Sequence, residues 1–254
     1  MSTEREPFAG RVSIVTGAGS GIGRATAIAL ADAGAYVLGV GRRTEALEQT
    51  AAQGHGRITP FSADIRAEGA PEAVVGAAVD QWGRLDVLVN NAGATAVMQL
   101  EDVTARRVAD MFDLNVVAPS LLAQAALPHL HRAQGSIVNI SSTYGHRPLP
   151  GAAHYAASKS ALEQLTRSWA LELAERRIRV NAVAPGPTES EALAAAGLPE
   201  ATVERIKQTE AERIPLGRRG EPDEVARWVL HVADPTAAWI TGQVISVDGG
   251  LNLI

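Results

Sequence analysis

An alternation constrains this chain more than any other feature. Short β-branched or apolar runs recur along its 254 residues, separated by longer alanine-rich segments. The runs are VSIVT (Val12–Thr16), YVLGV (Tyr36–Val40), RITPF (Arg57–Phe61), DVLVN (Asp86–Asn90), SIVNI (Ser136–Ile140), IRVNAV (Ile178–Val183) and VISV (Val244–Val247). Near-continuous apolar runs suit strands covered on both faces, as in a parallel sheet. Helices are predicted over Ile22–Ala33, Thr44–Gln53, Pro71–Trp82, Arg106 to about Leu130, Tyr155–Arg176 and Pro222–Ala233. Such alternation builds right-handed crossovers and a doubly wound α/β fold. The expectation is a seven-stranded, mostly parallel sheet with helices on both faces.

Composition narrows the class. Hydrophobic residues make up 46% and charged residues 20%, enough to bury a sizeable core and stay soluble. The formal charge of -5 argues against nucleic acid as the main partner. With no cysteine, disulfides, thiolate catalysis and cysteine metal sites are excluded. The opening MSTEREPFAG lacks the apolar region of a secretory signal. The longest apolar window, LNVVAPSLLAQAALPHL, is interrupted by Asn115, Pro119, Ser120, Gln124 and Pro128, whereas a bilayer span needs about 20 mostly apolar residues. A cytoplasmic protein without a membrane partner is expected. Without repeats, low-complexity tracts or a Pro/Ser-rich linker, residues 1–254 read as one domain. Pro185–Gly220 breaks the rhythm with two helical stretches, Glu191–Ala196 and Pro199–Arg213. Long insertions are often lids or binding segments, so about 186–220 is a substrate lid or a plain surface hairpin.

The stretch TGAGSGIGRA (Thr16–Ala25) follows the first strand and opens the first helix. A G-x-G-x-x-G reading fails because its third glycine falls on Ile22; Gly17, Gly21 and Gly23 instead form G-x-x-x-G-x-G. A strand-to-helix turn presents backbone N–H groups to a pyrophosphate, and glycine permits a tight turn and close approach. By itself the stretch is a nucleotide loop or a structural turn.

Together with NNAG (Asn90–Gly93), YAASK (Tyr155–Lys159), PG (Pro185, Gly186) and VDGG (Val247–Gly250), the loop resembles the short-chain dehydrogenase/reductase family from Val12 almost to the end of the chain. The resemblance implies a Rossmann-type fold and a nicotinamide dinucleotide. The implied cofactor contacts are Gly17, Ser20, Gly21, Ile22 and Gly23 in the glycine loop, with Asn91, Ala92 and Gly93 in NNAG. Asp64 and Ile65 are implied at the adenine, Tyr155 and Lys159 at the nicotinamide ribose, Pro185 and Gly186 beside the nicotinamide, and Thr188 at its carboxamide. Ser190 stands where the family often has threonine, which leaves one cofactor hydrogen bond in doubt.

The second strand run should end in a carboxylate if the ribose hydroxyls of NAD are to be gripped. Here Gly41, Arg42 and Arg43 follow it, and Asp32 comes too early, inside the first helix. A ribose phosphate carries about -1.5 to -2 charge, which a guanidinium can hold with paired hydrogen bonds. The expected cofactor is NADP(H), through Arg42 and its neighbour Arg43, with NAD(H) the alternative. Both arginines can also be read as solvated loop charges.

Tyr155 and Lys159 are one helical turn apart and share a face. A free phenol titrates near 10, and a fixed ammonium beside it favours phenolate. Bringing it to about 7 takes roughly 4 kcal/mol. The resemblance assigns Tyr155 as general acid/base and Lys159 as its modulator. It assigns Ser142, rather than its neighbour Ser141, as the hydrogen-bond donor to the substrate oxygen, and Asn115 as the holder of a water that links Lys159 to solvent.

The implied substrate is a small carbonyl or alcohol. Ala94, Thr143, His146, Leu149, His154 and the segment beyond Glu191 are expected around it, though His146 and His154 read equally as packing residues. IPLGRRGEPDEVA and ITGQVISVDGG resemble the subgroup of 3-oxoacyl-carrier-protein reductases and of sugar, steroid and secondary-alcohol dehydrogenases, between which the sequence does not choose. Arg132, Arg176 and Arg177 could meet an acidic carrier protein or be ordinary helix-end charges. No G-x-S-x-G elbow supports a hydrolase. His129 and His131 near a helix end fit cap or surface roles better than a metal site, and none is expected. The resemblance also implies a homotetramer, into which the apolar ending LNLI would fit. A competing reading is a cofactor-binding regulator or scaffold without turnover.

Overall fold

A computed structural model describes residues 6–95, 98–190 and 199–254. Seven strands form one sheet in the order β3-β2-β1-β4-β5-β6-β7. They are β1 (Val12–Thr16), β2 (Tyr36–Gly41), β3 (Ile58–Ser62), β4 (Val87–Asn90), β5 (Ser136–Ile140), β6 (Arg179–Pro185) and β7 (Val244–Val247). Every neighbouring pair runs parallel. β1, β5 and β7 match the sequence reading end to end, and the others shift by one or two residues. Pro60 sits in β3, at the edge of the sheet, where a missing N–H is tolerated.

The helices are α1 (Gly21–Asp32), α2 (Thr44–Ala51), α3 (Ala70–Trp82), α4 (Ala105–Phe112), α5 (Ala118–Ala133), α6 (Ala153–Glu172), α7 (Glu200–Arg213) and α8 (Pro222–Ala233). Side chains alternate across each strand, so the sheet feeds two cores. On one face Ile14, Leu38, Leu88 and Ile137 meet Val74 of α3 and Leu122, Ala126 and Leu130 of α5. On the other, Val15, Val37, Val89 and Val138 meet Leu30 of α1 and Val225 and Val229 of α8. α8 begins where the sequence places it because Pro222 occupies the first turn and Glu221 and Glu224 form a reciprocal cap.

The long helix expected over Arg106–Leu130 is present as one unbroken helical run over residues 105–133, with a local widening within it. A wide π turn over Asp113–Val117 joins α4 to α5. Proline lacks the N–H that would close a bond four residues back and its ring crowds that carbonyl. Here Pro119 follows Asn115 by four. The expected stretch Glu191–Ala196 lies outside the described residues, and the later one forms α7. No helix among the described residues is long and apolar enough to cross a membrane.

Candidate active site

The order of strands reverses between β1 and β4, both of which lie at the centre of the sheet. Ligands of open α/β sheets bind at the carboxyl ends of strands at such a switch point. The glycine turn leaves β1 at that place. Gly17 and Gly21 have φ of +71° and +51°, conformations open to glycine. A Cβ on Gly23 would lie 2.2 Å from the Gly17 carbonyl oxygen and 2.4 Å from Asn91 Nδ2. Close packing of turn, helix and NNAG therefore excludes any side chain there.

Thr16 stitches the two strand ends together, a role sequence reasoning missed. Its hydroxyl donates to the Val89 carbonyl and accepts from the backbone N–H groups of Asn91 and Ala92, both at 3.0 Å. Asn91 Nδ2 returns a bond to the Thr16 carbonyl at 2.8 Å. Asn91 is thus committed to shaping the turn. The first N–H groups of α1, from Gly21, Ile22 and Gly23, have no acceptor one turn back. With a helix N-terminus behind them they fit a pyrophosphate, and Ser20 stands at the cap position. An open cleft of about 430 Å³ runs beside this turn, walled by Gly21, Arg24, Ile28, Glu189, Ser190 and Asp223.

At the end of β2, Gly41 leads to Arg42 and Arg43, both exposed. The Arg42 charge acts on Asp64, just past β3. Asp64 is gripped by Arg66 at 2.7 and 3.0 Å, which holds its carboxyl down at about 2. That carboxylate is therefore already paired. Ile65 beside it is buried in the core.

The β5 turn and α6 bring the other expected residues together. The Ser142 hydroxyl stands near enough to the Tyr155 phenol to favour its phenolate and accepts from the Tyr144 N–H at 3.2 Å. Lys159 Nζ donates to the Ile140 carbonyl at 2.8 Å. A Cβ on Gly93 would lie 3.3 Å from that ammonium and 3.1 Å from Asn115 Oδ1. Asn115 is buried, its amide bonded to both backbone groups of Ala94 and to Ser158 Oγ, all at 3.0 Å. Ser158 in turn donates to the Tyr155 carbonyl at 2.7 Å. Asn115 is thus tied through Ser158 to the Tyr155 backbone, and Asn115 and Lys159 both close on Gly93.

The charge balance differs from the sequence expectation. Burial pushes the Tyr155 phenol above its ordinary 10, opposed by the nearby Ser142 hydroxyl. Burial also lowers Lys159 to about 8. In the protein alone the phenol is therefore not acidified, because enclosure removes phenolate and ammonium alike from water.

The terminal VDGG turn packs beneath Pro185–Gly186: a Cβ on Gly186 would meet Asp248 Cα at 2.8 Å. Thr143, expected in the substrate pocket, is fully buried and donates to Asp248 at 3.1 Å. His146 bonds to the Glu163 carboxylate at 2.9 Å and to Ser246 at 3.2 Å. Both are held by structural partners. Tyr144, which the sequence reading passed over, acts electrostatically on Tyr155 and feels Glu210 and Arg213 of α7. The Thr188 hydroxyl donates to the Gly186 carbonyl at 2.9 Å. Among the described residues no group of three His, Asp or Glu could hold a metal ion.

The family model described as enoyl-(acyl carrier protein) reductase matches residues 17–252. A 3-oxoacyl-[acyl-carrier-protein] reductase of Thermotoga maritima is 38% identical over 95% of this chain and 98% of its own. A cis-4-hydroxycyclohexanecarboxylate dehydrogenase of Sinomonas cyclohexanicum is 39% identical over 98% of this chain and 99% of its own. A short-chain dehydrogenase/reductase of unknown function from Caenorhabditis elegans, solved with cofactor, superposes with a TM-score of 0.91 at 35% identity, covering 98% of this chain and 97% of that one. Fold, motif order and these likenesses agree, and the chain belongs to the short-chain dehydrogenase/reductase family.

Proposed function

We propose that the protein is an NADP(H)-dependent oxidoreductase that interconverts a ketone and a secondary alcohol, with Tyr155 as general acid/base. The observation that carries this reading is the convergence of Ser142, Tyr155, Lys159 and Asn115 beside Gly93, at the switch point where the glycine turn fits a pyrophosphate. When bound, the nicotinamide supplies or takes up the hydride. The protein does the rest.

In the reducing direction Tyr155 gives its phenolic proton to the substrate oxygen, and Ser142 steadies that oxygen by hydrogen bonding. In the oxidising direction phenolate takes the alcohol proton. Lys159 at about 8 carries a charge near neutrality, and swung from the Ile140 carbonyl toward the phenol it would favour phenolate. The positive charge of an oxidised nicotinamide acts in the same sense and offsets the rise that burial imposes. Asn115 holds the Ala94 segment and, through Ser158, the first turn of α6. Pro119 offers no N–H to the Asn115 carbonyl, which leaves it suited to hold the water that would pass protons from Lys159 outward. Arg42 and Arg43 would hold the ribose phosphate, and Pro185, Gly186 and Thr188 would wall the nicotinamide.

A panel including a 3-oxoacyl thioester, 4-oxocyclohexanecarboxylate and simple ketones, followed at 340 nm with NADPH, tests this assignment. The wild-type chain should turn over at least one member. Tyr155→Phe should lose about 10²–10⁴-fold, the usual contribution of a positioned acid/base. Undiminished turnover by Tyr155→Phe would remove the assignment. NADPH binding with no turnover anywhere would favour a regulator.

A further inference from the structure

Arg219 lies in the loop before α8, and its side chain is only 7% exposed. One guanidinium reaches three partners there. It donates to the Thr188 carbonyl at 2.6 Å, pairs with Glu189 at 2.8 Å and bonds to the Glu210 carboxylate of α7. Lys207 of α7 also holds Glu189, at 2.8 Å. Backbone bonds complete the seam: Glu189 N–H donates to the Gly220 carbonyl at 2.8 Å, and Gly220 N–H to the Pro187 carbonyl at 3.0 Å.

A buried guanidinium is costly unless its donors are matched. Here its two terminal nitrogens hydrogen-bond to the Glu210 carboxylate and the Thr188 carbonyl, while Nε forms no hydrogen bond and lies in ion-pair contact with Glu189, an arrangement a lysine cannot reproduce with a single nitrogen. Glu189 and Glu210 would repel one another without a cation between them: burial raises Glu210, Arg219 opposes the rise, and Glu189 adds to it. The carbonyl that Arg219 holds belongs to Thr188, immediately after Gly186 and Pro187.

We propose that Arg219 is a positioning residue that fixes the Pro187–Glu189 segment so that Thr188 presents to the nicotinamide end of the dinucleotide. This rests on the reading of Pro185–Thr188 as the nicotinamide wall. The adenosine end lies at Arg42 and Asp64, past the far strands β2 and β3, and does not depend on Arg219. Losing the fork therefore separates the affinities of the two halves of one ligand.

The test compares NADPH with 2′,5′-ADP, which carries only the adenosine half, by calorimetric titration of wild type, Arg219→Ala and Arg219→Lys at a temperature where all are folded. NADPH affinity should fall about tenfold in Arg219→Ala, equivalent to about 1.4 kcal/mol, and by an intermediate factor in Arg219→Lys. Affinity for 2′,5′-ADP should stay within about twofold, since the sites are distant enough to be independent. The KM for NADPH should rise in parallel, with kcat at saturation nearly unchanged. Equal weakening of both ligands would reveal a general structural defect and overturn the proposal, as would unchanged NADPH affinity. If Arg219→Ala does not fold, Arg219→Lys and Arg219→Gln make the same comparison. A wild-type chain that binds 2′,5′-ADP and NADPH equally tightly would instead sink the underlying assignment of the nicotinamide wall.

Discussion

Replacing Lys159 by methionine should make the ligand-free protein more stable while abolishing its activity. Lowering an amine from 10.5 to about 8 corresponds to about 3 kcal/mol for charging it in place, at about 1.4 kcal/mol per pH unit. Methionine has a similar reach and volume and carries no charge. It forfeits the bond to the Ile140 carbonyl, and an orphaned acceptor costs about 1 kcal/mol. The net gain near pH 7 is about 2 kcal/mol, or roughly 4–8 °C in Tm for a chain of this size. The sign depends on pH. Between about 8 and 10.5 the unfolded amine still binds its proton while the folded one has released it. Wild-type stability therefore rises with pH across that window. The advantage of Lys159→Met should be full below about 8, shrink above it and reverse by about 1 kcal/mol once both states are neutral. Thermal unfolding of both proteins from pH 6.5 to 10.5, read as a difference so that other titrations cancel, measures this. A variant equal to or less stable than wild type at pH 7, or a gap that ignores pH, refutes the reasoning.

Further substitutions test the remaining parts of the site. Arg42→Ala should lower the NADP/NAD ratio of kcat/KM by roughly 10–100-fold, the range expected for losing charge-assisted bonds worth about 1.5–3 kcal/mol; an unmoved ratio would show the guanidinium to be a solvated loop charge. Gly23→Ala should unfold the chain or abolish dinucleotide binding, because its Cβ meets backbone at 2.2 Å. Gly76→Ala, inside α3 with nothing within 4 Å, should stabilise by about 0.5–1 kcal/mol; circular dichroism melts distinguish the two. Thr16→Val should cost about 1–3 kcal/mol, since two backbone N–H groups lose their acceptor, and a urea midpoint unchanged from wild type would contradict it.

Much of the fold was legible because parallel strands and their covering helices leave local marks. VSIVT, SIVNI and VISV are bounded by turn chemistry and have no competing helical period, so their limits are the structural ones. The helix over Arg106–Leu130 was legible, but the π widening inside it was not: the apolar period runs on, whereas Pro119 imposes a wide turn that periodicity does not register. The catalytic-site candidates were legible through motif spacing, whereas their supports were not. Thr16 bonds across to Asn91 and Ala92, some 75 positions along the chain, and Thr143 and Asp248 meet over 105 positions. Single hydroxyls with such distant partners carry no periodic signal. The rise of the Tyr155 phenol in the protein alone was not legible, because spacing shows who is near, whereas enclosure is a property of the folded surroundings.

Glu163 shows how far that support extends. It falls on the face of α6 shared by Tyr155 and Lys159, two turns beyond the phenol. Its carboxylate is almost completely buried, yet it accepts from Ser141 Oγ at 2.9 Å, meets His146 at 2.9 Å and has Arg167 within 3.6 Å. A buried carboxylate with three partners anchors whatever donates to it. Ser141 immediately precedes Ser142, so the anchor fixes the turn that aims the Ser142 hydroxyl. Room for it depends on Gly145, where a Cβ would stand 2.3 Å from Glu163 Oε1. The two serines of the β5 turn thus divide the labour: one is tied inward to Glu163, and because it is, the other can face the phenol.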